Sequence, residues 1–256
     1  MIHSTAIIDP SSRIAADVQI GPYSVIGADV EIGEGTIIGP HVVINGPTRI
    51  GKHNHIFQFA SVGEVPQDKK FIGEHTWLEI GDHNIIREGC TLNRGTSLGG
   101  GVTRLGNHNL LMAYVHIAHD CIIGNHAIFA NNATLAGHIT VEDFVILSGF
   151  SAVHQFCRLG KHSFLAKCAK VGKDVVPYTL VAGEDAIPYG LNVVGLRRHG
   201  FSNADIAVLR QAYKIIYRKN LVMADVIAEL SKLAETNPLV KDMLHFVQHA
   251  QRGIVR

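Results

Sequence analysis

A six-residue beat constrains this chain more than any other feature. An aliphatic residue recurs at Ile8, Ile14, Ile20, Ile26, Ile32, Ile38, Ile44, Ile50, Ile56 and Val62, and the same phase resumes at Ile80, Ile86, Leu92 and Leu98. After a slip of one residue it runs from Leu105 through Leu111, Ile117, Ile123, Phe129, Leu135, Val141, Leu147, Val153, Leu159 and Leu165 to Val171. Two residues before each of these stands a small or β-branched residue, such as Ser24, Val30, Thr36, Ala127, Ala133 or Cys157, and never a charged one. Two inward positions flanking one outward residue are what a short strand offers to a core. Three such strands close a triangular coil of about 18 residues that rises about 4.8 Å. Amphipathic helices need apolar residues every three to four positions, and stacked hairpins need turn signals every 8–12 residues, and this region has neither pattern. The expected fold is an all-β solenoid, a parallel β-helix.

The beat breaks twice. Residues 64–79 are read as one coil's worth of chain leaving the wall without loss of phase, and residues 95–104 contain the one-residue slip. Loops ejected from a solenoid tend to carry function. The run Gly99, Gly100, Gly101 is not followed by Lys-Ser/Thr and is no nucleotide P-loop. Past Val171 the beat fades, and from about residue 196 the period becomes helical. Ser202 and Asn203 offer a cap before Ile206, Leu209 and Tyr213; Val226, Ile227 and Leu230 mark a second helix; Asn237-Pro238 starts a third. The expected division is a solenoid over 1–190 and a helical domain over 191–256, which shields one open end of the stack.

Composition sets outer bounds on function. Over 256 residues, 46% are hydrophobic and 18% charged, which fits a packed globular chain. A net charge of +1 argues against a general nucleic-acid binder. No run approaches 18 apolar residues, so no membrane span is expected. The N-terminal residues lack the basic and apolar regions of a signal peptide, and four cysteines do not suggest a disulfide framework, so the expected location is cytoplasmic. Cys90, Cys121 and Cys157 fall at the small inward position and read as reduced core residues. Most of the 16 histidines, His41, His53, His83, His108, His126 and His162 among them, read as solvated wall or loop residues.

One cluster departs from that bland reading. An 18-residue coil places Gly137 directly above His119, Gln155 above Gly137, and His138 above Asp120. Ile117 and Cys121 point inward, so His116 and His119 are expected at outward or corner positions facing solvent or another subunit. A sugar hydroxyl is a poor nucleophile at neutral pH and needs a base titrating nearby, which an imidazole supplies. An adjacent carboxylate fixes the tautomer. A glycine N–H can approach a developing oxyanion closely because no side chain obstructs it. His119, Asp120 and Gly137 fit those three roles in acyl transfer.

The segments HIAHDC (116–121), NNATLAGH (131–138), AVHQF (152–156), GEVPQDKK (63–70) and LRRHGF (196–201) resemble the UDP-N-acetylglucosamine acyltransferases, the family that begins lipid A synthesis. The likeness covers essentially the whole chain. It implies a left-handed winding, an exception to the usual right-handed crossover rule. It implies His119 as catalytic base, Asp120 as its orienting partner and the Gly137 amide as oxyanion donor. Sugar, pantetheine or acyl contacts map onto Asp68, Lys70, His116, His138, His154 and Gln155, and nucleotide contacts onto Asn192 and Arg198. The likeness also implies a homotrimer with intersubunit sites, a 3-hydroxyacyl acyl-carrier protein as donor, UDP-N-acetylglucosamine as acceptor, and no metal or diffusible cofactor. The chain departs from the family pattern at Asn93, where some members have His, and at Val194 and His199, where some have Glu and Arg. Lys167 stands where the family varies side-chain size to limit the acyl pocket. Between residues 155 and 200 seven Lys or Arg face three acids, a local excess that suits an acidic carrier protein.

Three other functions remain open. A sister activity acts on a 3-amino rather than a 3-hydroxy sugar. A γ-type carbonic anhydrase on the same prism would use His116, His119 and His138 as zinc ligands. A non-enzymatic scaffold would have no reason to align His119, Gly137 and Gln155.

Overall fold

A computed structural model describes all 256 residues. Residues 2–191 wind into three flat faces, of nine, eight and ten strands, joined at three corners. We call the face carrying His116–Ile117 face 1, that carrying Ile122–Ile123 face 2, and that carrying Ile128–Phe129 face 3. Strands repeat parallel at one-coil intervals, with Ile117 paired to Leu135 and Leu135 to Val153 on face 1. The result is a left-handed parallel β-helix.

The aliphatic beat fills the prism. Forty-one buried residues form its core, Ile44, Ile56, Leu92, Phe129 and Leu147 among them, each fully enclosed. Burial pushes the Cys90, Cys121 and Cys157 thiols up to about 11, 12 and 11, so these core sulfurs stay protonated and inert. Where the small inward position is polar it is satisfied vertically. The Asn84 side chain donates to Asn54 Oδ1 at 3.0 Å and accepts from the Asn109 side chain at 3.0 Å.

The corners are built from left-handed residues that are not glycine. His53, His83, His108, His126, Phe144, His162 and Tyr178 all have φ between 54° and 67° at the corner between faces 2 and 3. Their rings stack in one ladder, with successive centroids 5.0, 4.8, 4.9, 4.8, 4.7 and 5.8 Å apart. The rise of a coil matches the spacing at which flat rings pack, so each ring offsets part of the backbone strain of its neighbour. These histidines are therefore a structural ladder, and His162, only 9% exposed, is not the solvated wall residue expected of it.

Both interruptions arise at the corner between faces 1 and 2. The first loop joins strand Ser61–Glu64 on face 1 to Trp77–Ile80 on face 2; the second joins Thr91–Asn93 to Val102–Leu105 across the same corner. Val62 pairs with Leu92, 30 residues on, so the first excursion exceeds a coil by 12 residues, two sides of the prism rather than a whole turn. Leu92 pairs with Ile117, 25 residues on, so the apparent slip is a seven-residue insertion. Leu98, counted in the beat, lies in that insertion and is 80% exposed. The Asn93 amide and the Arg94 N–H tie the two excursions together by donating to the Val65 and Glu64 carbonyls, each at 3.0 Å.

The last face-3 strand, Thr179–Ala182, pairs antiparallel with Ile187–Leu191, which ends the parallel stack. Four helices follow: α1 (Val193–Arg198), α2 (Asn203–Tyr217), α3 (Met223–Ala234) and α4 (Pro238–Gln248). A capping box between Ser202 and Asp205 starts α2, and the Asn237 side chain with Pro238 in the first turn starts α4. Their apolar faces form a second core of 16 buried residues that includes Leu209, Leu230 and Phe246, continuous with Val176 and Tyr178 of the prism's end.

Candidate active site

The corner between faces 1 and 2 collects most of the chemistry. Ile117 points inward and is fully buried, so the chain turns through Ala118, His119 and Asp120, with Asp120 left-handed at φ 60°. The Asp120 carboxylate is 1% exposed and the His119 side chain 7%. A buried carboxylate needs donors. Oδ1 accepts the Thr96 N–H at 2.8 Å, and Oδ2 accepts the Thr96 hydroxyl at 2.7 Å and His119 Nδ1 at 2.8 Å. The Asp120 N–H donates to Thr103 Oγ1 at 2.7 Å.

His119 was expected to face outward. Within a single chain it is instead largely enclosed, because the seven-residue insertion folds over the corner. With Nδ1–H directed at the carboxylate, Nε2 is left as the accepting nitrogen, and it makes no hydrogen bond within the chain.

Gly137 lies one coil above His119, and Gln155 one coil above that, as the register Ile117, Leu135, Val153 requires. A Cβ on Gly137 would stand 2.5 Å from His119 Cε1 and 2.8 Å from Nε2, so only glycine fits under that ring. The Gly137 N–H donates to no group of the chain. His138 Nε2 is 3.7 Å from Asp120 Oδ2, and its ring stacks on Phe156 at 4.5 Å while meeting His119 edge-on at 5.0 Å. Burial lowers the His138 pKa, opposed by the charges of Asp120 and Asp68 and reinforced by His119. Burial, then His119, likewise lowers that of His116, whose Nδ1 is 2.7 Å from Thr91 Oγ1. Both imidazoles are thereby favoured as neutral hydrogen-bonding groups.

Asp68 is half-buried in the first loop, where its carboxylate accepts the Lys70 N–H at 3.0 Å; Lys70 is exposed. His154 and Gln155 are exposed at the same corner, beside and above Gly137. Seven expected site residues (His116, His119, Asp120, Gly137, His138, His154, Gln155) therefore share one corner, and the loop bearing Asp68 and Lys70 leaves from it. Thr91, Thr96 and Thr103 also belong here, and nothing in the repeat marked them.

Asn192, Arg198 and Lys167 lie elsewhere. Asn192 caps α1 by accepting the Gly195 N–H at 3.1 Å and donates to the His162 carbonyl at 3.1 Å. With Arg198 it lines a cavity of about 350 Å³ on face 3, walled by Ile146, Phe164, Leu180 and Val194. His199 does not reach into that cavity as an anchor; its ring packs edge-on against Phe144 and His162 at 4.8 and 5.3 Å. Lys167 is exposed at the third corner, between faces 3 and 1. Within one chain, then, the His119 dyad and the Asn192–Arg198 cavity occupy different sides of the prism. Of the seven basic residues between 155 and 200, Arg158, Lys161 and Lys170 are ion-paired with Glu142, Asp242 and Glu184, which leaves Lys167, Lys173, Arg197 and Arg198 exposed and unpaired.

One ligand atom each from His119, Asp120 and His138 lie within 4.8 Å of one another, close enough to share a cation. This is not the His116, His119, His138 set weighed for a zinc hydratase. A metal bound there would compete with the His119 and Thr96 hydrogen bonds that already fill the carboxylate, so the donor set fits an oriented base better than a metal cage.

Comparisons with known proteins agree with this geometry. Residues 174–255 match the family described as Udp N-acetylglucosamine O-acyltransferase, Domain 2, and residues 11–46 and 102–137 match the bacterial transferase hexapeptide repeat. The acyl-[acyl-carrier-protein]–UDP-N-acetylglucosamine O-acyltransferase of Thiobacillus denitrificans is 56% identical over 255 residues, covering 100% of this chain and 99% of that one. That of Pseudomonas aeruginosa is 55% identical over 256 residues at the same coverage. Among solved structures, the UDP-N-acetylglucosamine acyltransferase of Francisella novicida superposes with a TM-score of 0.98 at 43% identity, covering 100% of this chain and 94% of the other. The Moraxella catarrhalis enzyme gives 0.97 at 46%, covering 100% and 99%. With repeat, corner and helical tail all matched across its full length, the chain belongs to the UDP-N-acetylglucosamine O-acyltransferase family.

Proposed function

We propose that this chain transfers a (3R)-3-hydroxyacyl group from the thioester of an acyl-carrier protein to the glucosamine 3-hydroxyl of UDP-N-acetylglucosamine, the first step of lipid A synthesis. The observation that carries the mechanism is the His119–Asp120 pair set directly beneath the Gly137 amide. His119 Nε2 takes the proton of the sugar hydroxyl as its oxygen attacks the thioester carbonyl. The oxyanion forms near the Gly137 N–H, a fixed donor with no competing partner. Collapse expels the carrier's pantetheine thiolate, which takes the proton from the His119 imidazolium. Asp120 holds the tautomer and stabilises that cation. The steps balance with these residues alone and call for no cofactor.

Asp68, Lys70, His116, His138, His154 and Gln155 are assigned contacts with the sugar, pantetheine or acyl chain, and Asn192 and Arg198 with the nucleotide. Their placement on different sides of one prism supports a homotrimer, in which face 3 of one copy meets the His119 corner of the next. Lys167 at the third corner is assigned the role of limiting acyl length, and a Lys167→Gly variant should then accept longer chains. No helix is long and apolar enough to cross a membrane, and we assign the enzyme to the cytoplasm.

The test is a transfer assay with UDP-N-acetylglucosamine, its 3-amino analogue and a ladder of 3-hydroxyacyl carrier proteins. Turnover of UDP-N-acetylglucosamine to an alkali-labile ester is the expected result. Turnover of the amino analogue alone, to an alkali-stable amide, would reassign the acceptor.

A further inference from the structure

The carboxylate that orients His119 is held from outside the repeat. Thr96, 4% exposed in the seven-residue insertion, reaches both Asp120 oxygens, its N–H at Oδ1 and its hydroxyl at Oδ2, at 2.8 and 2.7 Å. The same hydroxyl accepts the Gly99 N–H at 3.1 Å, which closes the short turn Ser97–Gly99 over the site. Gly99 packs so close to the carboxylate that any side chain there would collide with it.

We propose that Thr96 is a positioning residue for acyl transfer: its hydroxyl locks the plane of the Asp120 carboxylate so that Oδ2 meets His119 Nδ1 and Nε2 faces the acceptor. This rests on His119 being the base. The terminal torsion of an aspartate is soft, and rotation about it would carry Oδ2 away from the imidazole. Two donors from one residue, one on each oxygen, remove that freedom. The insertion that interrupts the hexapeptide beat thus completes the dyad that the beat alone would leave open to water.

The hydroxyl and the backbone N–H can be separated experimentally. Thr96→Val keeps the N–H bond to Oδ1 and the side-chain shape, and removes only the donor to Oδ2. The charged or titratable groups facing the His119 imidazole are Asp120, His116 and His138, with Asp68 beyond His138. An Oδ2 with one donor fewer leaves more of its charge to the imidazole, which holds a proton there more strongly.

Steady-state kinetics across pH test this. For Thr96→Val, kcat is expected to fall on the order of 10- to 100-fold, with KM for both substrates unchanged and the acid limb of kcat/KM moved to higher pH. Thr96→Ser, which keeps the hydroxyl, restores both kcat and the limb. If valine disturbs the turn, Thr96→Ala carries the same expectation. Wild-type kcat and acid limb in the valine and alanine variants would overturn the proposal, as would a loss that serine fails to restore. His119→Gln runs beside them. An inactive His119→Gln with an unaffected Thr96→Val removes the Thr96 role alone; an active His119→Gln removes the base assignment and this proposal with it.

Discussion

Asp120 sits at a corner whose backbone requires a left-handed residue, and a short acidic side chain tolerates that conformation better than most. The same turn that imposes φ 60° aims the carboxylate at Nδ1 of the preceding histidine. Chain geometry and chemistry coincide here: the corner conformation is what brings base and orienter together from adjacent positions. Gly137 completes the unit from the next coil by leaving room for the imidazole. A methyl group at that position would press on His119 Cε1 and Nε2 and crowd the amide. Gly137→Ala should therefore lower kcat on the order of 10² to 10³-fold, the scale of losing an oxyanion donor, while melting temperature changes little. A kcat near wild type would remove Gly137 from the mechanism.

The elements of the prism differ in how readable they were. The faces were legible because an aliphatic residue every sixth position has one compact solution, and the pairing of Ile117 with Leu135 and Val153 follows it. The vertical column of His119, Gly137 and Gln155 was legible for the same reason. The insertions were not, because a loop's path is set by tertiary hydrogen bonds such as Thr96 to Asp120, which leave no periodic trace. Counting Leu98 as wall and His119 as outward-facing both stem from that blindness. The corner ladder was missed because histidine, phenylalanine and tyrosine alternate there, and only the spacing of 18 or more residues unites them. It gives a pH prediction. Burial pushes the His162 imidazole down to about 4, with the charges of His199 and Lys161 adding to it. Its folded value thus lies below the ordinary 6.5, so folding favours the neutral ring. Above pH 6.5 neither state binds the proton and the group is silent. Between 6.5 and 4 the unfolded chain binds it while the native chain refuses, so stability falls as the pH falls, by roughly 3 kcal/mol at most. His162 Nδ1 is buried without a partner, so phenylalanine, already present at position 144 of the ladder, can replace it. His162→Phe should make the denaturation midpoint fall less steeply from pH 6.5 to 4. An unchanged slope would mean that other groups carry the acid sensitivity.

At the scale of the whole molecule, the chain is a rigid prism that displays one set of groups at the His119 corner and another on face 3. A single copy cannot bring them to one ligand, and a threefold arrangement of prisms can. Subunit mixing checks this. His119→Ala and Arg198→Ala, each inactive alone, should recover a fraction of wild-type turnover when dissociated and reassembled together, because some interfaces then pair an intact corner with an intact cavity. No recovery in mixed assemblies would place the complete site within one copy. The most direct measurement of the account is single-turnover acyl transfer by His119→Ala under saturating UDP-N-acetylglucosamine and acyl-carrier thioester. A corner imidazole acting as the base predicts a rate at least about 10²-fold below wild type, with acceptor affinity retained. Transfer within a few-fold of wild type would contradict it.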